Sequence, residues 1–317
     1  MQSNTVSTKS TAKRVSFGNK LAIDFKKNKE LYLIALPVIA FYILFHYTPM
    51  YGAIIAFKNF NPAKGILGSS WVGFKHFQDF FSTYYFWRLL KNTLTISITS
   101  LVVGFPAPII LALLINELRS RAFSRTVQTI TYMPHFISTV VVCGMIVNFT
   151  KDTGAITTFL SYFGFPKETM LNNPGMFVPV YVISGLWQEI GWGSIIYLAA
   201  LTGIDQELYE AARIDGAGRW KQTLNITIPC LIPTIIILFI LRMGNMLNVG
   251  FEKIILLYNP TIYETSDVIS SFVYRKGLQE FSWSFSAAVG LFNSIINFTL
   301  VIASNWISRK AGETSLW

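Results

Sequence analysis

The residues that could do chemistry in this chain are a few ionisable and amide side chains inside long apolar runs. Glu189 lies within the apolar run 177–201, and Arg242, Asn245 and Asn248 lie within the next one. A charge in hydrocarbon costs about 2.5–3.5 kcal/mol on insertion scales, so such groups usually face a bundle interior or a watery cavity. Amide hydrogen bonds and aromatic ring faces are also what a protein uses to bind a sugar.

Each of these groups has a structural alternative that the sequence leaves open. Glu189 and Arg242 could form an ion pair that fastens two helices, or either could line a path through the membrane. Asn245 and Asn248 are expected on one helix face, where amides can join helices or bind a sugar beside the rings of Trp187 and Trp192. The candidate path residues are Gln188, Glu189, Trp192, Arg242, Asn245 and Asn248.

The chain carries none of the common catalytic sequence patterns. It contains no G-x-x-x-x-G-K-[ST], no H-E-x-x-H and no G-x-S-x-G, and its three histidines stand apart in sequence. We therefore expect a protein that is not an enzyme and binds no metal or cofactor itself. If ATP supplies the energy for this protein's activity, a separate subunit must bind and hydrolyse the nucleotide.

A polar loop, residues 203–228, separates the fourth and fifth apolar runs. Its composition predicts a short helix that Asp205 caps and Gly216 ends. Ala211 and Ala212 permit close approach of another backbone, and Glu210 supplies a charge beside them. A simple connector needs none of these features, so the loop is predicted to dock into another protein.

Composition indicates a polytopic membrane protein. Apolar residues make up 52% of the chain, charged residues only 13%, and the mean hydropathy is +0.46, whereas a soluble domain has about 25% charged residues. The net charge of +10 does not indicate nucleic-acid binding, because Lys and Arg flank the apolar runs.

Six apolar runs are long enough to span a bilayer, which takes about 20 residues each. An all-α fold with six transmembrane helices is therefore predicted as domain 31–307, between a basic tail, 1–30, and a short tail, 308–317. The predicted spans are 31–56, 93–116, 126–149, 177–201, 229–249 and 285–307.

Charge asymmetry predicts the orientation of these spans. Lys and Arg are nearly twice as dense in the tails and even-numbered loops as in the other loops, which places both termini and the 203–228 loop in the cytoplasm. The first apolar run lacks a signal-peptide cleavage pattern, so we expect it to be retained. Between the first two spans, the aromatic segment 71–87 is expected to lie as an amphipathic helix at the outer interface, with sugar stacking as the less favoured alternative.

The 203–228 loop resembles the signature loop of ABC-importer permeases. Glu210-Ala211-Ala212 is followed at the family's spacing by Gly216, Ile226 and Pro229, with Ile228 where Leu is usual. Other segments are similar to the branch of that family that serves oligosaccharides and polysaccharide fragments. These are Pro49-Met50-Tyr51-Gly52, Asn259-Pro260, Ser266-Asp267-Val268-Ile269, Tyr274-Arg275 and Ser315-Leu316-Trp317.

The resemblance implies a type I importer permease in a bacterial inner membrane. Its implied partners are a second permease subunit in a heterodimer, two ATPase subunits that bind ATP and Mg, an extracellular or lipid-anchored solute-binding protein, and an oligosaccharide. The loop helix would fit a groove on the ATPase, and sugar contacts, as in maltose-type permeases, would fall on the candidate path residues. The implied ATPase-coupling residues are Glu210, Ala211, Ala212, Asp215 and Gly216.

A rival interpretation is an ion- or proton-coupled secondary transporter that uses Glu189 as a relay. Such proteins are often built from inverted repeats with broken helices, and no such repeat is visible in this sequence. A membrane scaffold without cargo is a third possibility, but it leaves the 203–228 loop unexplained.

Overall fold

The computed structural model describes residues 24, 25, 27–312 and 314–316, and within them the chain is mostly helical. The longer helices are α1 (Lys29–Tyr42), α2 (Lys75–Ser82), α3 (Phe86–Gly104), α4 (Pro106–Asn116), α5 (Arg121–Tyr132), α6 (Thr139–Phe149), α7 (Ala155–Ser161), α8 (Pro174–Thr202), α9 (Gln206–Ile214), α10 (Ile228–Met243), α11 (Phe251–Leu257), α12 (Ile269–Tyr274) and α13 (Trp283–Lys310).

Shorter elements connect these helices. Strands β1 (Lys58–Asn59) and β2 (Ser70–Trp71) form an antiparallel pair. Short α-helical turns are Thr48–Met50, Gly65–Gly68, Arg219–Gln222 and Tyr263–Ser266; 3₁₀ turns are Tyr51–Phe57, Met133–Phe136, Met170–Asn172 and Pro260–Ile262; π-helical turns are Ile43–Tyr47, Thr223–Thr227 and Arg275–Gln279.

The chain divides into two compact units, residues 1–54 and 55–317. In the described part of the first unit, α1 contains no buried residue, and most of its large apolar side chains are exposed. An apolar helix of this kind is stable only when lipid or another protein covers it. The predicted 31–56 span falls on the helical run Lys29–Phe57.

Within the described residues, four helical runs are long and apolar enough to cross a membrane. They are Lys29–Phe57, Phe86–Asn116, Arg219–Met243 and Trp283–Lys310. A fifth candidate is the pair Arg121–Phe136 and Thr139–Phe149, which is bent by 99°. The predicted span 177–201 coincides with α8, which has 29 residues but carries Gln188 and Glu189 and is not among these runs. The six-span prediction therefore holds only in part by length and composition.

The bend between α5 and α6 corrects the single straight helix predicted over 126–149. Pro134 lies in the 3₁₀ turn Met133–Phe136, and Ser138 then caps α6 by accepting from the Val141 amide. Proline removes a backbone donor and blocks a continuous helix. The last turn of α5, just before the bend, packs on α8 at Gly191, where any Cβ would overlap the Thr131 backbone, so only glycine permits this approach.

Buried side chains from α3, α6, α8 and α11 form the largest apolar core of the second unit. A buried carboxylate anchors the segment that follows α11: Asp267 is fully buried, accepts from Arg275 Nη2 at 2.7 Å, and lies 3.4 Å from Arg88 Nη2 on α3. These contacts hold the segment between α10 and α13 against the helices of this unit.

The aromatic segment 71–87 differs from the amphipathic helix predicted for it. Trp71 belongs to β2, only Lys75–Ser82 forms a helix, and Phe86 already begins α3. Phe80 is buried against Phe272 and Val289 in a second apolar cluster. Side-chain spacing alone could not separate an interfacial face from this packed face, since both place aromatic residues three or four apart.

Candidate functional site

A cavity of about 610 Å³ opens alongside α8 in the second unit. Its wall is formed by α3, α4, the N-terminus of α6, the middle of α8, the end of α10 and the start of α11. All six candidate path residues lie in this wall: Gln188, Glu189, Trp192, Arg242, Asn245 and Asn248. The structure thus brings together residues that are separated by up to 60 positions in sequence.

Glu189 is hydrogen-bonded to a histidine that the sequence did not single out. His135 Nδ1 lies 3.0 Å from Glu189 Oε2. The imidazole also stacks on Trp192, with ring centroids 4.4 Å apart and planes 3° apart. The carboxylate side chain is 57% exposed, so a bound solute can reach it. His135 comes from the bend after Pro134, and a histidine next to a proline in an apolar run was the only available signal.

Arg242 lines the same cavity but does not contact Glu189. Among the described residues, Arg242 forms no ion pair within 4.0 Å. Of the two alternatives left open by the sequence, the geometry therefore favours two separate groups in the cavity wall over a helix-fastening pair.

Asn245 and Asn248 lie beyond the helix on which they were predicted. The predicted span ran to Val249, whereas α10 ends at Met243 and the chain continues as turns. The two amides are still neighbours, since Asn248 Nδ2 donates to Asn245 Oδ1 at 3.4 Å.

The side-chain carbonyl of Asn248 joins the end of α10 to α13. It accepts from Asn293 Nδ2 at 2.9 Å and from Asn297 Nδ2 at 3.3 Å, and Asn297 Oδ1 accepts from the Leu247 amide at 3.0 Å. Asn248 therefore takes part in helix contact and also lies in the cavity wall.

Gln188 is the least accessible of the predicted path residues. It is only 8% exposed, and its Nε2 donates to the Ile137 carbonyl at 3.2 Å. This carbonyl lies at the bend between α5 and α6, where the backbone hydrogen bonds of the helix are interrupted and the backbone groups need other partners. Gln188 thus stabilises the bend that carries His135.

The cavity also contains a lysine that sequence reasoning missed. Lys253 on α11 is 8% exposed, donates to the Tyr181 carbonyl at 3.1 Å, and lies 4.8 Å from the centre of the Tyr181 ring. It falls outside the predicted spans, in a segment treated as a loop, so the search for charges within apolar runs did not consider it.

The 203–228 loop has the local structure that its sequence predicts. Asp205 is the N-cap of α9, and its Oδ1 accepts from the Glu207 amide at 3.0 Å. The helix ends at Ile214, and Gly216 follows with φ of +75°. This conformation is open to glycine at little cost, so the expected cap and stop are both confirmed.

One face of α9 is anchored and the other is free. Tyr209 Oη on the helix lies 2.9 Å from Thr227 Oγ1, and later in the loop Arg219 Nη1 lies 3.3 Å from Oε2 of Glu117, which is outside the loop. Glu210 and Ala211 are exposed, as is the apolar side chain of Ile214 at 88%. The loop therefore presents a small, polar and partly apolar surface on a fixed base.

The helix after this loop is longer than predicted. The predicted span begins at Pro229, whereas the structure has one continuous helical run from Arg219 to Met243. The run continues through a π-helical turn at Thr223–Thr227. Regular α-helix begins again at Ile228, so Pro229 lies in the first turn of α10, where its missing N–H costs little.

Comparison with known proteins identifies the family. Residues 104–312 match the family described as the binding-protein-dependent transport system inner membrane component. Protein LplB of Bacillus subtilis (strain 168) is 43% identical over 92% of this chain and 92% of its own length. The polygalacturonan/rhamnogalacturonan transport system permease protein YteP of the same organism is 43% identical over 94% of this chain and 93% of its own.

A solved structure agrees with these sequence relatives. The crystal structure of a bacterial ABC transporter involved in the import of the acidic polysaccharide alginate contains a chain with a TM-score of 0.84 and 45% identity, covering 92% of this chain and 99% of that one. The predicted resemblance is confirmed, as is the expectation of a transport component rather than an enzyme. This chain belongs to the family of binding-protein-dependent transport system inner membrane components.

Proposed function

We propose that this chain is a permease subunit of an ATP-driven, binding-protein-dependent importer of oligosaccharides or polysaccharide fragments. One relative is named as a permease of a polygalacturonan/rhamnogalacturonan transport system, and one solved relative belongs to a transporter involved in the import of alginate. The observation that carries the proposal is the cavity, because its wall combines amides, a stacked indole and charged groups, which are the groups that bind sugar hydroxyls and ring faces.

In this proposal the chain spans a bacterial cytoplasmic membrane six times, with domain 31–307 between cytoplasmic tails. The four apolar helices and the bent pair α5–α6 supply five crossings, and α8 supplies the sixth. The polar residues of α8 do not argue against a crossing, since intramembrane polar groups are tolerated where they face a cavity.

The second element of the proposal is the coupling role of α9. Its exposed face, which includes Glu210 and Ala211, would insert together with the exposed Asp215, the residue after the helix, into a separate ATPase subunit that binds ATP and Mg. Ala212 would allow close approach, and Gly216 would allow the turn that ends the helix. Nucleotide binding can change the conformation of the permease only by favouring one state through such contacts.

The proposed assembly contains a second permease subunit, two ATPase subunits and a solute-binding protein that delivers the oligosaccharide. One solved relative is a bacterial alginate ABC transporter in complex with alginate pentasaccharide-bound periplasmic protein, and a chain of it is 44% identical to this one with a TM-score of 0.86. That likeness over 94% of the chain supports the same assembly here.

Charge reversal on α9 tests the coupling role. The tagged chain is purified from its native membrane together with its partners and reconstituted for uptake of labelled oligosaccharide. Glu210→Lys and Gly216→Pro are expected to abolish ATP-driven uptake while the subunit stays folded, because the docking surface or its turn is lost. Asp79→Lys, which reverses an exposed charge on α2, is the matched control and should transport normally.

Two outcomes would contradict the proposal. Normal uptake by both α9 variants would remove the coupling role. A chain that purifies without an ATPase and transports on a proton gradient alone would instead support a secondary transporter that uses Glu189 and His135 as a proton relay. Collapsing the gradient with an ionophore at constant ATP separates the two mechanisms.

A further inference from the structure

Lys253 is a buried cation that the proposed transport mechanism has not yet used. Its side chain lies in the wall of the 610 Å³ cavity with only 8% of its surface exposed. An ammonium ion taken from water into a protein interior is unfavourable unless other groups replace its hydration. A lysine in this position therefore needs a compensating partner.

The protein supplies only part of that compensation. Among the described residues, no carboxylate lies within 4.0 Å of Lys253 Nζ. One of its three N–H donors goes to the Tyr181 carbonyl at 3.1 Å, and the Tyr181 ring offers its face at 4.8 Å. The other two donors have no protein acceptor within the described part of the chain.

The surrounding backbone leaves room for this ammonium group. A Cβ at Gly185, one helical turn after Tyr181 on α8, would lie 3.3 Å from Lys253 Nζ, which is tighter than ordinary packing. Burial lowers the pKa of Lys253 to about 8, so the protonated form still predominates at neutral pH. The space beside Gly185 thus holds a charged group at the cavity.

The other charges of the cavity do not neutralise Lys253 by contact. Arg242 is a second cation in the wall; it is exposed and forms no ion pair with any residue that the structure describes, whereas the Glu189 carboxylate is already bonded to His135. Glu252, the neighbour of Lys253, is exposed and forms no ion pair among the described residues. An anion that entered the cavity would find two cations that form no ion pair within the described part of the chain.

We propose that Lys253 is a substrate-binding residue that takes the carboxylate of an acidic oligosaccharide, with Arg242 as the second cation of the same subsite. The proposal rests on the proposed importer function and specifies its substrate class as uronate-bearing sugars. A carboxylate would accept the free ammonium donors of Lys253, and Trp192 in the same wall offers a ring face to the sugar.

Paired probes test this assignment in the complete transporter. Uptake into proteoliposomes is measured for oligogalacturonates and for their carboxyl-reduced, neutral counterparts, with the same binding protein in every sample. Lys253→Gln is expected to raise the half-saturating concentration of the acidic probe about tenfold or more, as expected for losing a hydrogen bond to a charged group, and to leave the neutral probe unchanged.

Two further variants separate binding from folding. Lys276→Gln removes a lysine that is paired with Glu280 and does not line the cavity, and it should leave both probes unchanged. Gly185→Ala keeps the lysine but crowds its ammonium group, so it should weaken uptake of the acidic probe selectively. Thermal unfolding of each purified complex shows whether it is folded.

Three kinds of result would contradict the proposal. Equal losses for acidic and neutral probes in Lys253→Gln, or no loss for either, would show that Lys253 only fastens α11 to α8 and would overturn the proposal. A wild-type complex that imports neutral oligosaccharides but not acidic ones would overturn it while leaving the importer function intact. A wild-type complex that imports neither would contradict both.

Discussion

The 203–228 loop and the cavity beside α8 are built in opposite ways. The loop takes its shape from neighbours in sequence: Asp205 bonds an amide two residues away, and Gly216 ends the helix through its own backbone conformation. At the cavity, two wall residues form hydrogen bonds with residues far away in sequence. Glu189 is bonded to His135 and Asn248 to Asn293, at separations of 54 and 45 residues. The loop can therefore be altered locally, whereas the cavity depends on how whole helices pack.

The largest effect is expected where a cavity helix has no space for one more carbon. Gly191→Ala places a methyl group against the Thr131 backbone, so α5 and α8 must separate, at a cost of about 1–3 kcal/mol. Gly144→Ala in α6 is the matched control, because a methyl group added there would meet nothing within 4 Å. We expect thermal unfolding of purified protein to show a lower midpoint for the first variant alone, and equal midpoints would contradict this packing argument.

An intermediate effect is expected from removing the imidazole that holds Glu189 and Trp192. His135→Ala should raise the half-saturating sugar concentration about fivefold and leave the maximal uptake rate unchanged. The loss corresponds to about 1 kcal/mol of binding free energy, the net contribution of the hydrogen bond that orients Glu189. His135→Phe, which keeps the stacking on Trp192 but not the hydrogen bond, should lie between Ala and wild type.

The control for that comparison is His76→Ala, since His76 is bonded to the Lys58 carbonyl and does not line the cavity. A fall in maximal rate at unchanged half-saturation in His135→Ala would show that His135 acts on conformational change and not on binding.

The effect with the smallest reach is expected in the loop, where one cap can be removed without disturbing the helices around it. Asp205→Ala should destabilise α9 by about 1 kcal/mol, so the amides of Gln206–Ile214 should exchange with solvent faster while the global unfolding midpoint stays constant. Asp205→Ser retains an acceptor and should restore slow exchange. A change of the global midpoint in Asp205→Ala would mean that the loop is not an independent unit.

The same contrast explains what could be predicted from the sequence. Capping and positive-φ signals act over a few residues, so the bounds of α9, its cap and its stop followed from the residues of the loop alone. The apolar runs likewise located most of the long helices, because the length of a span is set by the bilayer and not by packing.

Features that depend on packing could not be obtained in this way. The end of α10 at Met243 and the bend at Met133–Phe136 lie within largely apolar sequence. Gly244, Pro134 and Ser138 mark them locally, but such residues also occur inside membrane helices, so they do not by themselves predict a break. Lys253 was missed because a buried lysine in a predicted loop is recognised only when the loop folds against α8. His135 could have been given more weight, since it is a polar residue in the middle of a predicted span.

The shared acceptor at Asn248 has a consequence for motion between α10 and α13. Its carbonyl oxygen receives donors from Asn293 and Asn297, which lie one turn apart along α13. If α13 slides or rotates, one donor can withdraw while the other remains, so the acceptor on Asn248 keeps a partner during the movement. This contact can therefore persist while the end of α10 and α13 shift against each other. The cavity wall can then change its outline without losing the hydrogen bond that links these two segments.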